Sequence, residues 1–242
     1  MKRKLITAAV AFACAALVPA AALAGVIELG VPSTPLVAPT CPKGISPTNC
    51  TIILTRVTAV ETLRDGVAYP TTVKQAGRIV AFTVGLSRLS TDRTTAHNDI
   101  HLLDSAFGGT TRLGITILQR VGKANQWRWK TVAQSPVFKV QPYLGQVVQF
   151  PLTTTLPVLP GEVVALTTPT WAPVLSIDLT PSKFAYRQSR TNCAGTPNPN
   201  AAQTVGQTTV YKCDYPGTRL EYSATEISNP VAANPIHARD VG

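Results

Sequence analysis

The hydrophobic and polar positions fall into short runs with no long helical period. Residues 51–60, 77–86, 111–121, 126–133 and 136–140 are rich in Val, Ile, Thr and aromatics, and turn residues separate them. Residues 146–152, 162–168, 174–179, 208–213 and 219–225 repeat the pattern. Several alternate at a period of two. In 127–131, Trp127, Trp129 and Thr131 would share one strand face, with Arg128 and Lys130 on the other. Pro160-Gly161 is a turn dipeptide directly before Glu162. Many short strands, frequent turns and no crossover helices predict an all-β chain. The expected form is an antiparallel β-sandwich of jelly-roll type spanning residues 51–226.

The two ends read differently. Lys2, Arg3 and Lys4 precede an apolar run from Leu5 to Val18, Pro19 closes it, and Ala22-Leu23-Ala24 follows. This is the pattern of a cleavable secretory signal over 1–24, with the cut before Gly25. The run is short for a membrane span of about 20 residues, so no span is expected after cleavage. A lipoprotein anchor on Cys14 would want Leu three positions earlier, where Ala11 stands. Residues 25–50 carry Pro32, Pro35, Pro39, Pro42 and Pro47, and read as a linker or an arm hugging a sheet edge. Residues 227–242, with Pro230 and Pro235, read as a flexible tail.

Export changes the reading of charge and cysteine. The chain has 22 Lys and Arg, three of them in the leader, against 12 Asp and Glu, so the mature part carries a net charge of about +7. The cations are scattered, with no basic run of the kind that binds nucleic acid. Such a surface suits plain solubility or attraction to an anionic cell-wall polymer. Without Cys14, the cysteines are Cys41, Cys50, Cys193 and Cys213. An even number in an oxidising compartment predicts two disulfides. Three pairings exist; Cys41–Cys50 and Cys193–Cys213 are preferred because each closes a local, turn-rich loop. A four-cysteine zinc site would need a C-x₂-C pair, which is missing.

Several stretches resemble an uncharacterised group of secreted actinobacterial proteins. They are FGG at 107–109, QSPVFKVQPYLG at 134–145, ALTTPTWAP at 165–173, RQSRTNC at 187–193 and YKCDYPGTRLEYSA at 211–224. The resemblance implies secretion and a β-sandwich-like domain. It carries over no catalytic or binding residue.

Candidate chemistry is sparse. In HNDIHLLD, an extended backbone would place His97, Asp99 and His101 on one side, a donor set that could hold a metal such as zinc and leave a position for water. The alternative is a solvated loop entering a strand. Hydrolysis by a triad would have to draw on His97, His101 or His237, and no G-x-S-x-G elbow occurs. No carboxylate pair of glycosidase type and no cofactor motif is visible. Trp127, Trp129 and Trp171 offer a ligand-binding alternative, since exposed rings stack on sugar faces, whereas buried rings are core. Trp171 stands in the Pro-flanked PTWAP, which reads as a stiff loop able to present its ring. Two functional expectations follow. One is a secreted, non-catalytic module that binds glycan or cell-wall polymer. The other is an extracellular hydrolase or metal-dependent enzyme using His97, Asp99 and His101.

Overall fold

The computed structural model describes residues 24–31, 33–41, 52–193 and 199–229. The leader, Cys50 and almost all of the C-terminal tail lie outside these, so the cleavage site and the Cys41–Cys50 pairing are not among the described features. In chain order the strands are β1 (Val26–Leu29), β2 (Leu54–Arg64), β3 (Val67–Ala68), β4 (Gly77–Gly85) and β5 (Arg112–Arg120). Next come β6 (Arg128–Gln134), β7 (Phe138–Lys139), β8 (Val147–Val158), β9 (Val163–Ala172) and β10 (Leu175–Ser176). The last are β11 (Ala185–Gln188), β12 (Thr208–Val210), β13 (Cys213–Pro216), β14 (Arg219–Leu220) and β15 (Tyr222–Ser228). One helix, α1 (Arg93–Phe107), joins β4 to β5. No described helix is long and apolar enough to cross a membrane.

The chain is mostly β, as its alternating runs predict, and the strands within each sheet pair antiparallel. One sheet has the order β1-β15-β4-β8; the larger follows β12-β6-β5-β9-β2-β11-β13, with β3 on β2 and β7 on β5, and curves into a half-barrel. The main core lies between them. Val57 and Ala59 of β2, Ile115 and Ile117 of β5, and Val164 and Leu166 of β9 meet Ile79, Phe82 and Val84 of β4 and Phe150 of β8. Phe82 stacks on Phe150 and meets Phe138 edge-on, each at 5.3 Å between ring centroids. Val60, Leu118, Val163 and Ala165 sit at out-of-phase positions of the same strands and build a second, smaller core with Trp129 and Tyr211.

Both ends of the β domain differ from expectation. Residues 26–29 form β1, which pairs with β15 through Val26 and Ile227, so the sheet reaches Ser228, beyond the expected boundary at 226. Residues 33–41 are an arm docked on the domain. Thr34 donates to both carboxylate oxygens of Asp65, and Val37 N–H donates to Glu221 at 3.2 Å. Gly85 is required beneath this arm, because a Cβ there would stand 1.8 Å from the Val37 carbonyl. Buried charged and polar side chains hold the same end. The fully buried Arg64 donates to the Tyr222 and Leu220 carbonyls, and its Nε lies 3.1 Å from the Glu61 carboxylate. Arg219 binds Glu221 and the Pro35 carbonyl. Burial pushes the Glu61 carboxyl up to about 8 despite Arg64 beside it.

α1 is the main departure from the sequence reading. Ala96, Ile100, Leu103 and Phe107 recur at helical spacing, and the last three pack against the main core. Asp92 caps the start, accepting from Thr95 N–H at 2.8 Å, and Gly108, at φ +86°, ends the helix in the left-handed conformation. The C-terminus docks on a β-bulge. Arg56, at φ +48° where the β2–β9 register shifts, donates to the Phe107 and Ala106 carbonyls at 3.2 Å each.

Candidate functional site

The helix overturns the expected convergence of His97, Asp99 and His101. On an α-helix, positions 97 and 101 lie one turn apart on one face and 99 turns away. Both histidines are exposed, with Nε2 atoms 3.1 Å apart and rings edge to face. Asp99 is buried and one of its oxygens, Oδ2, has no hydrogen-bond partner; burial raises its carboxyl above the usual range. Among the described residues, no group of three His, Cys, Asp or Glu side chains could hold a metal. The histidines are drawn together and the aspartate is kept apart.

The tryptophans do not form an exposed stacking platform. Trp171 is 0% exposed, and its Nε1–H donates to Asp104 Oδ1 of α1 at 2.8 Å. PTWAP is strand rather than loop through Ala172: β9 bulges where Pro169 and Thr170 stand opposite Arg56 alone, so Pro169, which has no N–H to offer, falls where the ladder is interrupted. Trp129 is 1% exposed within the smaller core, with Thr131 buried on the same strand face as expected. Trp127 is not part of that strand. It sits at φ +51° at the end of a short 3₁₀ turn, before β6 begins.

The half-buried rings of Tyr69 and Trp127 are covered by arginines. Arg120 lies 4.7 Å from the centroids of both Tyr69 and Trp129. Arg187 lies 3.8 Å over the half-buried Trp127 and is held there by Asp214 at 3.0 Å. Guanidinium–ring contact of this kind is worth about 0.5–2 kcal/mol, so a sugar would have to displace it to stack.

The structure instead gathers hydrogen-bonding side chains around the segment 199–209. Cys193 and Cys213 are disulfide-bonded, with Cα atoms 5.2 Å apart, as the preferred pairing requires, and so tie the start of the preceding loop to β13. Segment 201–203 then lies over the half-barrel on a row of threonines. Thr58 and Thr116 both bond the Thr167 hydroxyl, at 2.8 and 2.6 Å, and Gln203 N–H donates to Thr58 Oγ1 at 3.0 Å. Gln134 Nε2 donates to the Gln203 carbonyl at 2.7 Å, and Tyr211 donates to the Gln203 side-chain oxygen.

A cleft of about 430 Å³ opens beside this segment, lined by Arg190, Thr191, Asn200, Gln203, Gln207 and Thr208 among others, with no carboxylate in its wall. Arg190 is buried and donates to the Thr55 carbonyl at 2.6 Å. Two donors of these buried lining residues, Arg190 Nε and Gln203 Nε2, have no hydrogen-bond partner. The sequence reading missed this cleft. Its signal was the density of Thr, Asn and Gln between 191 and 209, bracketed by two cysteines. No protein-family model, no curated protein and no solved structure matches the chain, so the case for its function rests on the chemistry of these side chains.

Proposed function

We propose that the chain is a secreted, non-catalytic binding module of the cell envelope that takes a hydroxyl-rich polymer, a glycan or cell-wall polymer, in the cleft beside residues 199–209. One observation carries the reading. The cleft is lined by neutral amides and hydroxyls around a single buried guanidinium. Amides and hydroxyls both donate and accept hydrogen bonds, which matches the hydroxyl groups of such a polymer. The leader pattern and the Cys193–Cys213 bond support an extracytoplasmic location.

The proposal includes a jelly-roll arrangement. The strand order β1-β15-β4-β8 facing β2-β9-β5-β6 supports it, since β4 to β5 and β6 to β8 cross between the sheets in the manner of two Greek keys. The fold supplies a rigid frame; the ligand class is argued from the cleft alone.

The test is a binding screen of the purified mature domain against neutral and anionic cell-wall polymers, at low and high salt. Thr191→Val and Thr208→Val remove lining hydroxyls while keeping shape. Salt-resistant binding weakened by both variants supports the reading. Binding that vanishes at high salt and ignores both variants would assign the interaction to net charge instead.

A further inference from the structure

We propose that the exposed face of α1 chelates a divalent first-row transition ion of the Cu²⁺, Ni²⁺ and Zn²⁺ class through Nε2 of His97 and His101. The two residues sit one helical turn apart, where side chains three or four positions distant are neighbours. Their Nε2 atoms stand 3.1 Å apart with the ring planes at 82°. Metal–imidazole bonds measure about 2.0–2.1 Å. Two nitrogens at 3.1 Å therefore subtend an angle of about 100° at a shared ion. That value lies between the right angle of square-planar or octahedral neighbours and the wider tetrahedral angle, so an ion enters with little movement of either ring.

The backbone beneath the pair is set before any ion arrives. Asp92 and Gly108 cap the helix, and Ile100, Leu103 and Phe107 hold its other side on the core. Among the described residues, neither imidazole hydrogen-bonds to any group except the other. Without a metal, one ring must donate its Nε2 proton to its neighbour; with a metal that ring carries its proton on Nδ1 instead, exposed to solvent, and both Nε2 lone pairs bond the ion. Asp99 faces away and does not join the pair. The site is thus a two-nitrogen chelate whose other positions go to water or to a donor from a second molecule. Imidazole nitrogen favours Cu²⁺ over Ni²⁺ and Zn²⁺, and hard Mg²⁺ and Ca²⁺ are refused because they demand oxygen.

The site is separate from the polymer-binding cleft, and its readout is metal, so either reading can fail alone. The experiment titrates the mature domain with CuCl₂, NiCl₂ and MgCl₂ by calorimetry and records the electron paramagnetic resonance spectrum of the Cu²⁺ complex. The expected result is one Cu²⁺ per chain with nitrogen splitting from two imidazoles, weaker Ni²⁺ binding and none for Mg²⁺. His97→Ala and His101→Ala should each weaken Cu²⁺ binding on the order of tenfold or more, because the chelate is lost. Their melting temperatures should not change, since both rings are exposed. His237→Ala, in the tail, should change nothing. Absence of saturable Cu²⁺ binding overturns the proposal. So does binding that survives the His97/His101 double variant, or that only His237→Ala abolishes.

Discussion

Trp171 tests how the helix is joined to the half-barrel. Its indole is fully buried and spans from β9 to α1, ending in the 2.8 Å bond to Asp104. Trp171→Ala removes the packing of the largest side-chain type from the core and leaves Asp104 Oδ1 without its indole donor. Large-to-small changes of this kind cost about 3–5 kcal/mol, a large part of the roughly 5–15 kcal/mol that holds a domain folded. For a domain of this size the melting temperature should fall by about 6–20 °C. Trp171→Phe keeps most of the ring and loses the hydrogen bond to a carboxylate, worth about 1.5–3 kcal/mol. Urea unfolding of Trp171→Phe, Asp104→Ala and the double variant should give a coupling energy of about 1–2 kcal/mol. Hydrogen exchange in α1 should accelerate in all three, because the bond links helix to sheet. A loss under about 1 kcal/mol for Trp171→Ala would refute the reasoning. Strict additivity of the other two would show that the indole–carboxylate contact contributes nothing.

The other expected outcomes concern the disulfide, the buried acid and the arm. Replacing Cys193 and Cys213 by Ala removes a closure across 20 residues and should cost about 3 kcal/mol by urea unfolding, with faster hydrogen exchange confined first to 199–209. Glu61, raised by burial from 4.5 to about 8, holds its proton more tightly folded than unfolded. Its contribution is therefore complete below 4.5 and fades as pH rises to about 8. Wild-type stability relative to Glu61→Gln should fall across that window; a difference that does not vary with pH would remove the role given to burial. Gly85→Ala drives a methyl into the Val37 carbonyl, and should cost about 1–3 kcal/mol and make residues 33–41 sensitive to protease while the β spectrum stays intact.

The strands were legible in two ways: β6 alternates exposed and buried positions over 128–131, as a strand with one face buried does, while β2, β5 and β9 are buried on both faces and show as runs rich in Val, Ile and Thr between turns. The helix was legible too, and was missed. Ala96, Ile100, Leu103 and Phe107 have helical spacing, Asp92 is a capping residue and Gly108-Gly109 a stop. The alternation of His97, Asp99 and His101 within the same stretch also fits an extended strand, so two periods overlap there. PTWAP misled for another reason. Proline argues against a strand only while the ladder is continuous, and its interruption at Pro169 is set by the register with β2, more than 100 residues earlier.

By itself the sequence determined the β class and the alternation of β6, and it favoured the Cys193–Cys213 pairing among three. Each depends on neighbours along the chain, where spacing and residue type carry the physics. Tertiary structure alone decided which side chains meet. It turned Asp99 into the protein and set His97 against His101, and it buried Trp171 against Asp104 from another element. It laid arginines from β5 and β11 over the rings of Trp129 and Trp127, and it brought Arg190, Gln203 and Thr208 around one cleft. Such contacts join residues far apart in the chain, so their energies depend on how two sheets and a helix close on one core, and no local window of residues contains that information.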